Sequence, residues 1–126
     1  MKKDDLDMIS FGIIADAGDA RAFAFEALQA AENREYARCD VQISKAHASI
    51  NKARRAQTDL LFEEMNGEHQ EVNVLLVHSQ DHLMDAQLAI DLIEQMIARI
   101  RIQEKLETRI GRLEEHVDEL ERRMDK

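Results

Sequence analysis

The chain has 126 residues, a length that suits one domain, and 44% of them are hydrophobic, which is enough for a core. Asp and Glu outnumber Lys and Arg by 26 to 17, the net charge is −9, and no segment carries a basic stripe. This composition argues against a nucleic-acid or anionic-membrane surface. Proline is absent and there are only four glycines, so the usual helix breakers are nearly missing and an all-α fold is predicted.

The first predicted helix runs from about Asp5 to Ala31. Its apolar residues recur at steps of three and four, which is the helical period; they are Ile9, Ile13, Ala17, Ala20, Ala24, Ala27 and Leu28. The many alanines permit a neighbouring helix to approach closely. Gly18, inside this helix, predicts close packing at that point, because glycine otherwise destabilises a helix. The polar residues 32–34 predict a turn.

A second helix is predicted from about Glu35 to Met65, and Gly67 ends it because glycine takes the left-handed conformation of a C-cap without penalty. After a polar loop, Asn73 is a good N-cap for a third helix that starts at Val74. Short connections between long helices make neighbours antiparallel. The sequence therefore predicts an antiparallel three-helix bundle.

The apolar pattern of the third helix continues beyond the length that a bundle needs. It changes register near Ile102 and then follows the heptad pattern of a coiled coil, with apolar residues Leu106, Ile110, Leu113, Val117, Leu120 and Met124. We therefore predict a bundle domain over residues 1–101 and a coiled-coil extension over residues 102–126. The charges support this division, because residues 97–126 hold eight bases and eight acids and the whole acidic excess lies before them.

The charged residues beside this heptad seam indicate how two such tails would meet. A parallel, in-register coil pairs Arg109 with Glu114 and His116 with Glu121 on the partner. An antiparallel pairing would instead put like charges together. The pattern favours a parallel oligomer, and a solvated helix packed back on its own bundle is the alternative. In this heptad pattern Ile110, Val117 and Met124 are at a, and the leucines Leu106, Leu113 and Leu120 are at d. Leucine at d and β-branched residues at two of the three a positions mildly favour two strands.

Two histidines, His78 and His82, are four residues apart and share one face near the start of the third helix. Spacing alone is compatible with an ordinary histidine at an interhelical boundary. It is also compatible with metal ligation, as in the His-x-x-Glu-His helix of zinc peptidases, although Asp81 replaces the catalytic Glu and no downstream ligand is evident.

Phosphoryl transfer through an imidazole nitrogen is the third interpretation. Neutral imidazole is nucleophilic near neutral pH and passes a phosphoryl group on readily. His78 lies five residues past Asn73, near the positive end of the helix, where a phosphate is favoured. Gln80 and His82 are the candidate hydrogen-bond donors to that phosphate.

Asp81 lies on another stripe of the same helix, together with apolar residues Val74, Val77, Met84 and Leu88. A carboxylate within an apolar seam must find a partner, take up a proton or bind a cation. If three chains met along this stripe, three Asp81 carboxylates would converge and favour an ion such as Mg²⁺. The alternative is that Asp81 lies at the edge of the seam and reaches water.

Three segments resemble the lactose/cellobiose-type IIA components of the bacterial sugar phosphotransferase system. The segment LLVHSQDHLM, residues 75–84, differs from the family's usual LLVHAQDHLM only at Ser79. GDARAFAFEAL at residues 18–28 is similar to GDARSLAMEAL, and AQTDLL at residues 56–61 is similar to AQTELL. The matches lie in the family's order and cover about residues 9–97; the heptads at the C-terminus are not part of the family pattern.

This resemblance implies a homotrimer of three-helix bundles with Asp81 as the axial ligand of one Mg²⁺ per trimer. It also implies a phosphocarrier in which His78 accepts a phosphoryl group from HPr and passes it to a cysteine of a IIB component. Gln80 and His82 would support the phosphate. The IIC permease that the IIB component serves would take up a disaccharide of the lactose, cellobiose or chitobiose class.

Two other functions remain open from the sequence. One is a non-catalytic oligomeric scaffold or regulator, in which the tail is the functional part; the other is a helical metal-binding protein that uses His78, Asp81 and His82. The N-terminus has acids where a signal peptide needs an apolar run, and no apolar stretch is long enough to span a membrane. A cytoplasmic location is expected, and Cys39 is expected to be a buried side chain on a helix.

Overall fold

The computed structural model describes residues 1–126. It contains three α-helices and no strand: α1 is Lys3–Glu32, α2 is Tyr36–Met65 and α3 is Val74–Met124. The predicted all-α bundle is confirmed, and each helix boundary lies within two residues of its prediction. Consecutive helices run antiparallel, and α1 is the central helix, because it packs along both α2 and α3 while α2 and α3 touch at few places.

The core is built mainly from small side chains. Alanines fill the buried face of α1 at the predicted positions, and the largest fully buried apolar side chains are Ile13, Ile50, Leu83 and Ile90. Small side chains let the helix axes come close, and the few isoleucines and leucines fill the remaining space. Cys39 is also buried, as predicted, and its burial raises the pKa of the thiol.

Both interhelical turns close in the same way. Arg34 and Gly67 each follow a helix with positive φ, 61° and 89° respectively. After α1 the N–H of Glu35 donates to the carbonyl of Ala30, and α2 ends in an equivalent bond, which is the Schellman arrangement of a helix C-terminus. The predicted glycine cap at Gly67 is confirmed. At the first turn an arginine takes the left-handed conformation, at a cost of about 1–2 kcal/mol.

The expectation that Gly18 marks close packing is wrong within the chain. Gly18 is exposed, and a Cβ built on it would meet no atom within 4 Å. The physical reason is its position on α1, next to the buried Ala17 but on the outward side of the helix.

Helix α3 is 51 residues long, whereas α1 and α2 have 30 residues each, so its last turns extend past the bundle. The helix continues without a break through Ile102, where the apolar pattern changes register. The tail does not fold back on the bundle. Its apolar residues are exposed: Leu106, Ile110, Leu113, Val117, Leu120 and Met124.

Side chains of the first turn hold the base of this tail. Arg34 forms ion pairs with Glu104 and Glu107, and the hydroxyl of Tyr36 donates to Glu104. Arg101 stacks on the Tyr36 ring, with 4.2 Å between its guanidinium carbon and the ring centroid. These contacts hold the first turns of the tail against the α1–α2 turn.

Candidate functional site

The start of α3 is fixed by its N-cap residue. The side-chain oxygen of Asn73 accepts the N–H of Leu76 at 2.8 Å, which satisfies one of the free amide groups of the first turn. The amide of Asn73 also donates to Asp7 of α1 at 3.4 Å. The predicted N-cap is confirmed, and it sets the position of the first turn of α3 relative to α1.

His78 and His82 meet on the outer surface one turn further along. Their Nε2 atoms are 3.1 Å apart, and the rings pack edge to face with centroids 4.5 Å apart. His78 is exposed and His82 is half-buried. His78 follows the Asn73 N-cap by five residues and so lies near the positive end of α3.

Two neutral imidazoles can form this contact only if their tautomers differ at Nε2. One ring must carry a hydrogen on Nε2, and the other must present the Nε2 lone pair. The pair therefore holds one unprotonated ring nitrogen beside one N–H donor. This is the arrangement that a nucleophilic nitrogen with a hydrogen-bonding neighbour requires.

Ser79 lies on the buried side of this turn. Its hydroxyl donates to the carbonyl of Leu76 at 2.6 Å, and the residue is fully buried. It forms no hydrogen bond with either imidazole. The one departure from the family's usual segment thus lies in the core.

Gln80 lies on a different face from the two histidines. Its amide donates to Ser79 Oγ at 3.4 Å, and its side chain lines an apolar groove at the end of the bundle with Leu6, Leu60 and Leu76. The structure brings His78 and His82 together but does not bring Gln80 to them. Its support of the phosphate stays a prediction. The groove itself could not be read from the sequence, because residues of all three helices and of the loop at Val72 form it.

Asp81 lies on the outer stripe of α3, as the spacing indicates. It is exposed and forms no hydrogen bond or ion pair, and its neighbours on the stripe, Val77 and Met84, are exposed as well. Within one chain no group of three or more His, Cys, Asp or Glu side chains is arranged to hold a metal ion. None of the three helices is long and apolar enough to cross a membrane.

The fold and the site together define a three-helix bundle with a paired, accessible histidine near the N-terminus of its third helix. Residues 8–101 match the family model described as "PTS system, Lactose/Cellobiose specific IIA subunit". The chain belongs to this family of phosphotransferase-system IIA subunits. Residues 102–126 lie outside the matched range.

Two similar proteins agree with this membership. The chain is 38% identical over 97 residues to the lactose-specific EIIA component of Staphylococcus epidermidis, covering 77% of this chain and 93% of the relative. It is 41% identical over 97 residues to the lactose-specific EIIA component of Streptococcus mutans, with the same two coverages.

Solved structures show the same architecture. The cellobiose-specific enzyme IIA of Bacillus anthracis superposes with a TM-score of 0.78 at 39% identity, covering 83% of this chain and 94% of that chain. The IIA(chitobiose) protein of Escherichia coli, solved in complex with HPr, gives a TM-score of 0.70 at 28% identity and covers 82% and 99% of the two chains.

Proposed function

We propose that this protein is a phosphocarrier of the sugar phosphotransferase system, with His78 as the phosphoacceptor. The observation that carries the proposal is the exposed imidazole of His78 with His82 Nε2 at 3.1 Å, near the capped N-terminus of α3. The donor would be phosphorylated HPr, since the structurally similar Escherichia coli protein was solved with HPr. The acceptor would be a IIB component, which links the carrier indirectly to the IIC permease.

The chemistry would be displacement at phosphorus between two imidazoles. The lone pair on an unprotonated nitrogen of His78 attacks the phosphorus, the donor's P–N bond breaks, and its electron pair returns to the donor ring. With His82 as the Nε2 donor, the lone pair is on His78 Nε2. After transfer the His82 N–H would donate to a phosphoryl oxygen, and the positive end of α3 would stabilise the added charge.

Passage to the IIB component repeats this displacement in the other direction. The P–N bond at His78 breaks, its electron pair returns to the imidazole, and a nucleophile of the acceptor takes the phosphoryl group. The hydrogen bond predicted from Gln80 to the phosphate has no support within one chain, because Gln80 lies on a different face of α3 from His78 and its amide lies beside Ser79.

We further propose that the bundles assemble as a homotrimer through the outer stripe of α3. The supporting observation is that this stripe stays uncovered in one chain; Val77, Met84 and Leu88 are each at least 47% exposed. Beside it, Phe25, Leu92 and Met96 line an apolar groove between α1 and α3 that would receive a neighbouring subunit. Burial of such surface stabilises an assembly.

In such a trimer the three Asp81 carboxylates would lie close to the three-fold axis. Oxygen donors of this kind suit Mg²⁺, and each chain offers one unpaired carboxylate. One Mg²⁺ per trimer would offset the mutual repulsion of the carboxylates. The ion would serve assembly, and no step of phosphoryl transfer is assigned to it.

The route served would be uptake of a disaccharide of the lactose, cellobiose or chitobiose class, with the carrier in the cytoplasm. These are the sugars in the names of the similar proteins. A phosphocarrier need not contact the sugar, so the choice among them would belong to the permease.

Phosphoenolpyruvate, enzyme I and HPr, incubated with the full chain, test the proposal. We expect stoichiometric phosphorylation that is labile in acid and stable in alkali, lost in His78→Gln and kept in His82→Gln. No transfer to the wild-type chain would refute the phosphocarrier role. It would leave the non-catalytic oligomeric scaffold or regulator, which the exposed heptads of the tail favour.

A further inference from the structure

Helix α3 carries two apolar faces on opposite sides. The inner face packs on the bundle through residues such as Leu83, Ile90 and Ile97, which are at most 8% exposed. The outer face begins at Val74 and continues to Met124, and its large apolar residues are at least 44% exposed. Residues of another helix approach this face only along its edge, where Phe25 of α1 lines a groove with Leu92 and Met96.

The outer stripe keeps its direction from the bundle into the tail. At about 100° per residue, its steps of three and four residues average close to the helical repeat, so the stripe remains on one side of a straight helix. In the tail the steps alternate strictly between four and three from Leu106 to Met124, which gives the 3.5-residue period of a left-handed coiled coil.

The contacts at the base of the tail fix which way this stripe points. Arg101, Glu104 and Glu107 bond to Asp40, Arg34 and Tyr36 of the first turn and the start of α2. On a helical wheel Arg101 and Glu104 lie roughly opposite Leu106 and Ile110, while Glu107 lies to the side. The tail therefore leaves the bundle with its apolar side directed outward.

Neither of the other two helices covers this side. Helix α1 ends at Glu32 and α2 begins at Tyr36, both at the base of the tail, so neither helix runs beside residues 108–124. Six apolar residues at a and d positions, uncovered over five helical turns, need a partner with the same periodicity.

We infer that residues 102–126 form a parallel, in-register coiled coil with other copies of this chain, with the outer stripe of the bundle and that of the tail continuous along one interface. Charge complementarity selects a copy of the same tail as the occupant. Arg109 at g of one tail meets the opposite charge of Glu114 at e′ of the next, and His116 at g meets Glu121 as a hydrogen-bonding partner. The bundle, which orients all tails alike, determines the number of strands.

This assembly is spatially separate from the phosphoryl site. His78 and Ile102 are 24 residues apart along one helix, which is about 36 Å at 1.5 Å per residue. The tail extends from the opposite end of the bundle. The inference therefore does not depend on phosphotransfer, although a trimeric bundle would bring three tails together at the same end.

Disulfide trapping in the full chain tests the arrangement. In Leu120→Cys the new thiols lie at d, next to each other across a parallel, in-register seam; in the matched control Arg122→Cys they lie at f, on the outside. Native Cys39 is 1% exposed, and the wild type measures its background. We expect covalent dimers to form about tenfold faster in Leu120→Cys than in the control, because the seam raises the local thiol concentration. Equal rates, or no covalent dimer, would overturn the inference.

Sedimentation of Leu113→Glu/Leu120→Glu separates the tail from the bundle. We expect its dissociation concentration to rise about tenfold relative to the outer-face control Glu115→Gln/Arg122→Gln, because charges at d positions disrupt the seam. An unchanged dissociation concentration would also overturn the inference. If the wild type sediments as a trimer while Leu120→Cys gives no disulfide, the tail inference fails and the proposed trimer stands. If the disulfide forms but HPr transfers no phosphoryl group, the proposed function fails and the tail inference stands.

Discussion

The Nε2 atoms of His78 and His82 lie 3.1 Å apart, one helical turn from each other on the exposed side of α3. In this contact the Nε2–H of one ring donates to the Nε2 lone pair of the other. With His82 as the donor, as proposed, His82 would orient His78 and would be ready to donate to a group bound there. This contact is the structural basis for assigning different roles to two neighbouring histidines.

Loss of the His82 donor should slow phosphoryl transfer without abolishing it. In His82→Leu we expect the rate of transfer from phosphorylated HPr to fall about tenfold, since a hydrogen bond to a charged group contributes about 1.5 kcal/mol. His82→Gln retains a donor and should lie between this variant and the wild type. Rapid-quench measurement of the phosphorylated chain gives the rates. His47→Leu, which removes a histidine paired with Glu94 far along α3, is the control, and an undiminished rate in His82→Leu would contradict the role.

Asp81→Leu should make the trimer indifferent to chelators. Three like charges near an axis destabilise an assembly unless a cation offsets them. An apolar side chain at this position removes both the repulsion and the cation site. We expect EDTA to raise the dissociation concentration of the wild type but not that of Asp81→Leu, as measured by sedimentation velocity. Asp85→Leu, one turn along α3, serves as the matched control. A wild-type trimer that EDTA leaves unchanged would argue against an axial ion.

Ser79→Ala should leave phosphoryl transfer unchanged. The hydroxyl is buried and donates only to the carbonyl of Leu76 within its own helix. Replacement also removes the acceptor of the long 3.4 Å bond from Gln80, whose amide lies in an open groove, and alanine has the higher helix propensity, so the free energy of unfolding should change by less than about 1 kcal/mol. Transfer kinetics and thermal denaturation check the two parts. A large loss of transfer would show that Ser79 acts on the site through its neighbours.

Leu83→Ala and Met84→Ala should weaken the protein in different ways although the residues are adjacent. Leu83 is fully buried against the bundle, so its truncation should cost about 2–5 kcal/mol of unfolding free energy at every protein concentration. Met84 is 58% exposed on the outer stripe. Its truncation should lower the melting temperature mainly at low concentration, where the assembly dissociates. Calorimetry at two concentrations tells the two effects apart, and equal behaviour would refute the assignment of faces.

Arg34→Asn should loosen the base of the tail. Asparagine tolerates the left-handed conformation of residue 34, so the turn is kept while the ion pairs to Glu104 and Glu107 are lost. We expect faster amide exchange over residues 102–108, measured by hydrogen–deuterium exchange. Arg38→Gln, which loses only the local pair with Glu35, should leave these amides unchanged. Unchanged exchange in Arg34→Asn would show that the pairs do not hold the tail.

The ion pair of Arg34 with Glu107 predicts that amide exchange in the tail depends on pH. The hydrogen bond from Arg34 lowers the pKa of Glu107 below its ordinary 4.5. A depressed carboxyl pKa stabilises the folded contact above the ordinary value, and this stabilisation is lost as the pH falls through the lowered pKa. The difference in exchange between wild type and Arg34→Asn should therefore be full above pH 4.5 and disappear on further acidification. If the difference in exchange persists in strong acid, its cause is not the ion pair.

Periodicity and capping residues determined the helices of this protein. The apolar steps of α1 and α3, the Asn73 cap and the Gly67 turn are local features, and local interactions within a few residues are enough to set them. The resemblance to the IIA family was also visible in the sequence around His78, because a family signature is a run of adjacent residues. Spacing alone left three interpretations of His78 open: a boundary histidine, a metal ligand and a phosphoryl acceptor.

Only the tertiary structure decided which faces are covered. It turned Gly18 outward and placed Gln80 in a groove away from the histidines. It also left Asp81 without a partner and paired Arg34 with Glu104 and Glu107, which are at least 70 residues away in the sequence. Such relations depend on how three helices rotate about their axes when they pack. Rotation is set by the sum of many small contacts across the core, and no short run of residues contains it.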